Sequence, residues 1–310
     1  MRGDGSRQGT GVSRNPRRPQ ELVGHIFSAA EVISSGILTK GELRSKAWRP
    51  LFRGVYADAA TTFSHESRCK AAARWLLPPQ AVIAGRSAVA IHGGPAPGED
   101  DPVDVLIPPG HRFGPVHGLR VHTAELADGE AIESRRLTVT SPLRTCWDLA
   151  QWHDLVEAVV QVDALLGLGA VKADALAEQA DLRIEVRGGR RFAAVTGLAD
   201  GGAASPPESR TRVGLVLAGL PRPVTQHVID AAGRFIARVD LAWPRYRVAV
   251  EYDGVWHAQA DQFHRDRRRL NDLVGQDWIV LHLTAQRLRT DFGGFVAEVA
   301  HALTTRGWHR

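Results

Sequence analysis

Residues 248–254 read Val-Ala-Val-Glu-Tyr-Asp-Gly. Strand periodicity places Ala249, Glu251 and Asp253 on one face and Val248, Val250 and Tyr252 on the other. A preceding stretch, RFIARVDLAW at 234–243, reads as a second strand, turned into the first by Pro244-Arg245. Antiparallel pairing would then bring Asp240 within about one or two residue steps of Glu251. Carboxylates that close repel one another unless a cation or a proton neutralises them, and hard oxygen ligands suit Mg2+ or Mn2+. The sequence therefore predicts a divalent-metal site made of Asp240, Glu251 and Asp253.

The flanking segments supply more of the same unit. Ser205-Pro-Pro-Glu208 has a Ser cap and prolines where a helix begins, and ESRTRVGLVLAGL continues it until Gly219 and Pro221. VTQHVI gives a further strand, DQFHRDRRRLNDLV a charged helix, WIVLHLT a fourth strand and FVAEVAHAL a terminal helix. The predicted order from residue 205 is α-β-β-β-α-β-α. His257, four residues beyond Asp253, sits where it would shuttle a proton, or else packs beside Trp256. Arg265 and Arg269 of the charged helix suit phosphate contact. The same run also reads as a solvated face paired with Asp261, Asp266 and Asp272.

Charge distribution agrees with a polyanionic partner. Of a net charge of +5, residues 1–20 and 206–310 each carry +4 and the residues between them −3. A basic surface around an acidic pocket fits metal-dependent chemistry on nucleic acid; an Arg-favouring, GC-rich genome gives the same excess. The only lysines are Lys40, Lys46, Lys70 and Lys172.

Upstream, residues 1–20 read as a disordered basic arm. Residues 21–60 read as helix, turn, helix and wing: LVGHIFSAAEVI has one apolar helical face, Thr39-Lys-Gly-Glu42 the spacing of a capping box, and LFRGVYAD a short hairpin. That is the order of a winged-helix DNA reader, or of a small packing unit without DNA contact. Residues 61–182 alternate helix and strand as an α+β domain, within which His92 before Gly93-Gly94 reads as a structural turn. Residues 183–204, rich in Gly, Arg and Pro, read as a linker to the C-terminal domain at 205–310.

At 310 residues, 44% hydrophobic and 24% charged, the chain has the composition of a folded globular protein. No apolar run reaches the ~18 residues of a membrane span, and the N-terminus lacks a signal-peptide core, so cytoplasmic location is expected. Cys69 and Cys146 lie far apart in apolar helical stretches, which predicts burial rather than a disulfide or zinc framework.

Glu208 on its helix, Asp240, the EYDGVWH strand end, RDRRRLNDL and WIVLHLT together resemble the very-short-patch-repair (Vsr)-like branch of the PD-(D/E)xK restriction-endonuclease superfamily, over about residues 205–290. The resemblance implies an α/β restriction-endonuclease-like core and Mg2+-dependent cleavage of DNA. It makes Asp240 and Glu251 metal ligands, with Glu208 a helix-borne acid acting directly or through water. Asp253 stands where the wider superfamily has a lysine, and no lysine follows Lys172. Stabilisation of charge is then left to an arginine, to His257 or to a second metal. Separately, GILTKGEL, FRGVYAD, AVIAGRSAVAIHG and TSPLRTCWDLA resemble the AbiE-type antitoxins of type IV toxin–antitoxin systems, from about Leu22 to Leu176. That likeness implies a winged-helix reader, an α+β domain without catalytic residues, and a possible protein partner. The two likenesses leave two functions open: a Mg2+-dependent endonuclease, or an inactive nuclease fold kept as a DNA-binding, antitoxin-like regulator.

Overall fold

The computed structural model describes residues 17–309 apart from 112, 232, 255–272 and 274. The predicted charged helix, His257, Arg265 and Arg269 therefore lie outside the described residues, as does most of the N-terminal arm. The chain is a mixed α/β protein. It begins with strand β1 (Ile26–Ser28) and helix α1 (Ala29–Ser34), then β2 (Trp48–Phe52), β3 (Val55–Asp58) and α2 (His65–Trp75). β4 (Val82–Ile83), α3 (Gly85–Ile91), β5 (Val103–Ile107), β6 (Leu119–Thr123), β7 (Ala131–Ser134) and β8 (Leu137–Thr140) follow. Next come α4 (Pro142–Trp152), α5 (Leu155–Gly167), α6 (Ala173–Leu182), α7 (Gly189–Leu198) and α8 (Pro206–Leu217). The last part holds β9 (Val224–Ala231), β10 (Arg234–Trp243), β11 (Val248–Asp253), β12 (Ile279–Thr284), α9 (Ala285–Thr290) and α10 (Phe292–Thr305). Among the described residues no helix is long and apolar enough to cross a membrane.

Contacts divide the chain into two units, Met1–Ala81 with Gly98–Ala124, and Val82–Pro97 with Glu125–Arg310. In the first, β1, β3 and β2 form an antiparallel sheet, with Gly54 at φ +77 in the two-residue turn between β2 and β3. This is the expected wing-like hairpin. The two expected helices are not what precede it. Gly24 adopts φ +74 and ends the first turn, so the apolar run 22–33 divides into a 3-10 turn, β1 and the short α1. The capping box forms, with Thr39 N–H donating to Glu42 Oε2 (2.8 Å) and Glu42 N–H to Thr39 Oγ1 (3.3 Å), yet it opens only a single 3-10 turn, Glu42–Arg44. Phe27, Val32, Leu38, Leu43 and Trp48 bury the core of this part, Phe27 meeting Trp48 edge-on at 5.2 Å between ring centroids. β5 and β6 pair in parallel further along the same unit.

In the second unit β4 pairs in parallel with β8, and β8 antiparallel with β7. The β7–β8 turn is Arg135-Arg136 with φ +51 and +64, two left-handed residues in succession as a type I′ hairpin requires. Sequence reading missed this hairpin because neither position is Gly or Asn. Helices α4, α5, α6 and α7 share one core around Leu149, Val159, Leu165, Leu176 and Phe192. The 183–204 stretch, expected as a linker, is thus largely folded: Phe192 and Val195 of α7 are buried in that core. Its Gly and Arg content misled because the two apolar residues that anchor α7 are spaced by one turn within a polar sequence. His92 behaves as the structural residue expected, its Nε2 2.8 Å from the Thr140 carbonyl, and burial lowers its pKa. Cys69 and Cys146 are buried and form no disulfide, and burial pushes the Cys146 thiol up to about 12.

The C-terminal strands form a sheet in the order β12-β11-β10-β9, with β11–β12 parallel and the other pairs antiparallel. Leu215 of α8 and Phe295, Val299 and Leu303 of α10 cover one face, meeting Leu241, Val248, Val250 and Leu283. Each such side chain contributes ~1.5–3 kcal/mol when buried. Gly214 lets α8 close on this layer, since a Cβ there would lie 2.5 Å from the Phe292 ring. A separate cluster gathers Ile229, Ala237, Val239, Ala242, Ala249 and Leu273. All of the expected strands from 205 onward are present; α9 was not foreseen.

A carboxylate site at the head of α8 and the centre of the sheet

Ser205 caps α8, and Glu208 in its first turn completes a capping box. Glu208 receives hydrogen bonds from Ser205 Oγ (2.7 Å) and Ala204 N–H (2.9 Å), and is only 7% exposed. A third donor is the side-chain amide of Gln226, at 2.9 Å. The same nitrogen, Gln226 Nε2, donates to Asp240 Oδ1 at 3.1 Å. Glu208 on α8 and Asp240 on β10 are therefore bridged through one amide group on β9. Asp240 Oδ2 accepts the backbone N–H of Tyr252 at 2.8 Å, which ties β10 to β11 just past the pairs Leu241↔Val250 and Ala242↔Ala249. Asp240 stands one position beyond the Leu241↔Val250 pair on β10, and Glu251 one position beyond it on β11.

Gln226 was not singled out from sequence. It lies between the pairs His227↔Val239 and Thr225↔Leu241, opposite Asp240, and its φ of +48 puts a non-glycine residue in the left-handed region within a strand. Such a conformation costs about 1–3 kcal/mol and persists where surrounding interactions hold it. Here those interactions are the two carboxylates. The available sequence signal was an amide on one strand facing an acid on the next.

Asp253 turns elsewhere. His282 Nδ1 of β12 lies 3.2 Å from Asp253 Oδ1. In the parallel register His282 stands beside Glu251 and Thr284 beside Asp253, so the contact runs diagonally across the pair. Among the described residues no three His, Cys, Asp or Glu side chains stand close enough to enclose a metal ion. The described residues thus do not form the three-carboxylate cluster expected from strand alternation, because Asp253 is drawn to an imidazole that the sequence reading left as an ordinary strand residue. What the site offers instead is Asp240 and Glu251 at the ends of the paired stretch of β10 and β11, with Glu208 linked to Asp240 through Gln226. Mg2+ commonly takes one or two carboxylates and fills its remaining positions with water and phosphate oxygens. Asp240, with about four lone-pair positions and two hydrogen bonds, keeps acceptor capacity for an ion. The donor set fits.

A buried ion pair holds α8 in place beneath this site. Arg212, one turn beyond Glu208, is fully buried and donates to Asp163 Oδ2 of α5 (2.7 Å) and to the Leu198 carbonyl (2.6 Å). Asp163 also accepts the Asp200 N–H at 2.7 Å. Burial pushes the Asp163 carboxyl up despite the pull of Arg212.

No protein-family model matches the chain. The uncharacterized proteins MT2308 and Rv2248, from two strains of Mycobacterium tuberculosis, are each 32% identical to it over 206 residues, spanning 64% of this chain and 73% of theirs. The chain belongs to their family. A distant likeness, with a TM-score of 0.38 and 14% identity, covers 68% of this chain and 85% of the RV2827C protein of Mycobacterium tuberculosis, known from its crystal structure.

Proposed function

We propose that residues 205–310 form a Vsr-like, PD-(D/E)xK-type domain that hydrolyses phosphodiester bonds in DNA with Mg2+ or Mn2+. The observation that supports this reading is the tie of Glu208 on α8 to Asp240 on β10 through Gln226, with Asp240 and Glu251 each one position past the Leu241↔Val250 pair of β10 and β11. Asp240 and Glu251 would hold the ion. When bound, it would polarise the phosphodiester and activate water. Gln226 keeps the two carboxylates at a fixed separation, and the Tyr252 N–H fixes the Asp240 rotamer. His282, oriented by Asp253, is an imidazole beside Glu251 that can carry a proton. His257 retains the proton-shuttle role proposed for it, and Arg265 and Arg269 that of gripping phosphate. The upstream hairpin and α+β region serve, in this reading, as an antitoxin-like DNA reader and as the surface for a protein partner.

A second reading has its own support. With no lysine after Lys172, and with Glu208 and Asp240 each held by neutral donors without a metal, the same fold serves as a DNA-binding regulator that does not cut. Incubating the protein with supercoiled plasmid in Mg2+ or Mn2+, beside Asp240→Ala and Glu251→Ala, separates the two. Nicking by the parent that both substitutions abolish supports the nuclease. Nicking that survives both sinks this site. Salt-sensitive DNA binding without nicking selects the regulator.

A further inference from the structure

Three arginines of the described chain are deeply buried: Arg68, Arg144 and Arg212. Arg144 pairs with Asp148 (2.8 Å) and Glu130, and Arg212 pairs with Asp163 (2.7 Å). Arg68, on α2 in the first unit and 5% exposed, has no such partner among the described residues. Of its five N–H donors, one meets an acceptor, the Glu99 carbonyl, and its buried Nε meets none. Asp100 and Asp101 act on it only at longer range, and burial, with Arg49 nearby, pulls the guanidinium below its ordinary pKa. A buried charge is costly unless a counter-charge reaches it.

Arg68 lines a cavity of about 290 Å3 within this unit, together with Arg49 of β2, His117 and the Glu99–Asp100 turn. Arg49 is held at 3.0 Å by Glu99 Oε1, a resident carboxylate at the place an incoming anion would take. We propose that this cavity is a phosphate pocket, in which the guanidinium groups of Arg68 and Arg49 hold the oxyanion of a small phosphorylated ligand. Guanidinium forks match phosphate geometry, and two of them side by side distinguish an anion site from a surface ion pair. The volume lies at the lower edge of the ~300–1,000 Å3 of small-molecule sites, which suits a mononucleotide-sized ligand or less. Glu99 and Asp100 at the rim discriminate against weakly held anions, because only a ligand that engages both arginines displaces Glu99.

Isothermal titration calorimetry of the full chain with inorganic phosphate and with 5′-AMP, against chloride at equal ionic strength, tests the pocket. Saturable binding is expected, weakened about tenfold or more by Arg68→Gln and severalfold by Arg49→Gln. Glu99→Gln frees Arg49 and should tighten it. Tighter binding of 5′-AMP than of inorganic phosphate identifies a carried phosphate, and equal binding a free oxyanion; both support the pocket. Absence of saturable binding for either ligand overturns the proposal, as does affinity unchanged in Arg49→Gln and Glu99→Gln. Those two variants alter partly exposed side chains and decide the matter even if Arg68→Gln fails to fold.

Discussion

Substituting Gln226 tests whether its amide bridge holds the site together. Gln226→Ala removes a nitrogen that donates to Glu208 at 2.9 Å and to Asp240 at 3.1 Å, while leaving a side chain at φ +48. Hydrogen bonds to charged groups contribute ~1.5–3 kcal/mol each. The low end applies here, since the bridge is only partly buried and water can replace part of it, so the loss should be about 3 kcal/mol. Gln226→Gly loses the same bonds but accepts the left-handed backbone without strain, and should recover about 1 kcal/mol relative to alanine. Urea denaturation of the full chain in EDTA, followed by circular dichroism and compared at equal m-values, measures both differences. A cycle with Asp240→Asn should return a coupling of about 1 kcal/mol. If alanine costs less than ~0.5 kcal/mol, the bridge is idle. If glycine is no more stable than alanine, the strand is not strained at this position.

Two further outcomes follow from buried charges. Arg212→Met should destabilise the second unit by ~3–5 kcal/mol, because Asp163 is left buried and unpaired, whereas Arg212→Met with Asp163→Leu should restore most of that in urea melts. For Asp58, 1% exposed, burial pushes the carboxyl up, but the N–H groups of Gly24 and Ala60 and the Arg18 guanidinium (2.6 Å) outweigh it and hold the pKa below the usual carboxylate range. Its stabilising contribution is therefore complete above the unfolded value of ~3.9 and is lost as pH falls through the lower folded value. Urea midpoints recorded from neutral to acid pH should fall over that window, and the fall should be smaller in Asp58→Asn.

The C-terminal strands were legible because each announces itself twice, by β-branched content and by turn residues such as Pro244 and Gly254. The Asp240–Glu251 juxtaposition followed from alternation and one tight connection. Gln226 and His282 were not legible, since their roles depend on which strands become neighbours. β12 joins β11 in parallel from 26 residues beyond it, and no local pattern reveals that pairing. The N-terminal helix reading failed for a different reason. A single left-handed Gly24 changed the path of the chain, so that Leu22, Phe27 and Val32, which no one helical face would align, reach the core together from separate elements. Likewise Thr39 and Glu42 formed their box without a helix to follow, because a cap satisfies the first N–H groups of a turn and cannot supply the apolar face that prolongs it.

β9 is the outer strand of its sheet among the described residues, and Val224, Val228 and Phe235 are exposed along that hairpin. An open strand of eight residues with apolar side chains is a template on which another chain can add itself. The left-handed backbone at Gln226 interrupts the pleat two residues from the strand's start, so an incoming strand finds no continuous row of outward N–H and C=O groups to match. The residue that links the two carboxylates thereby also breaks the regular pattern along the open edge of the sheet.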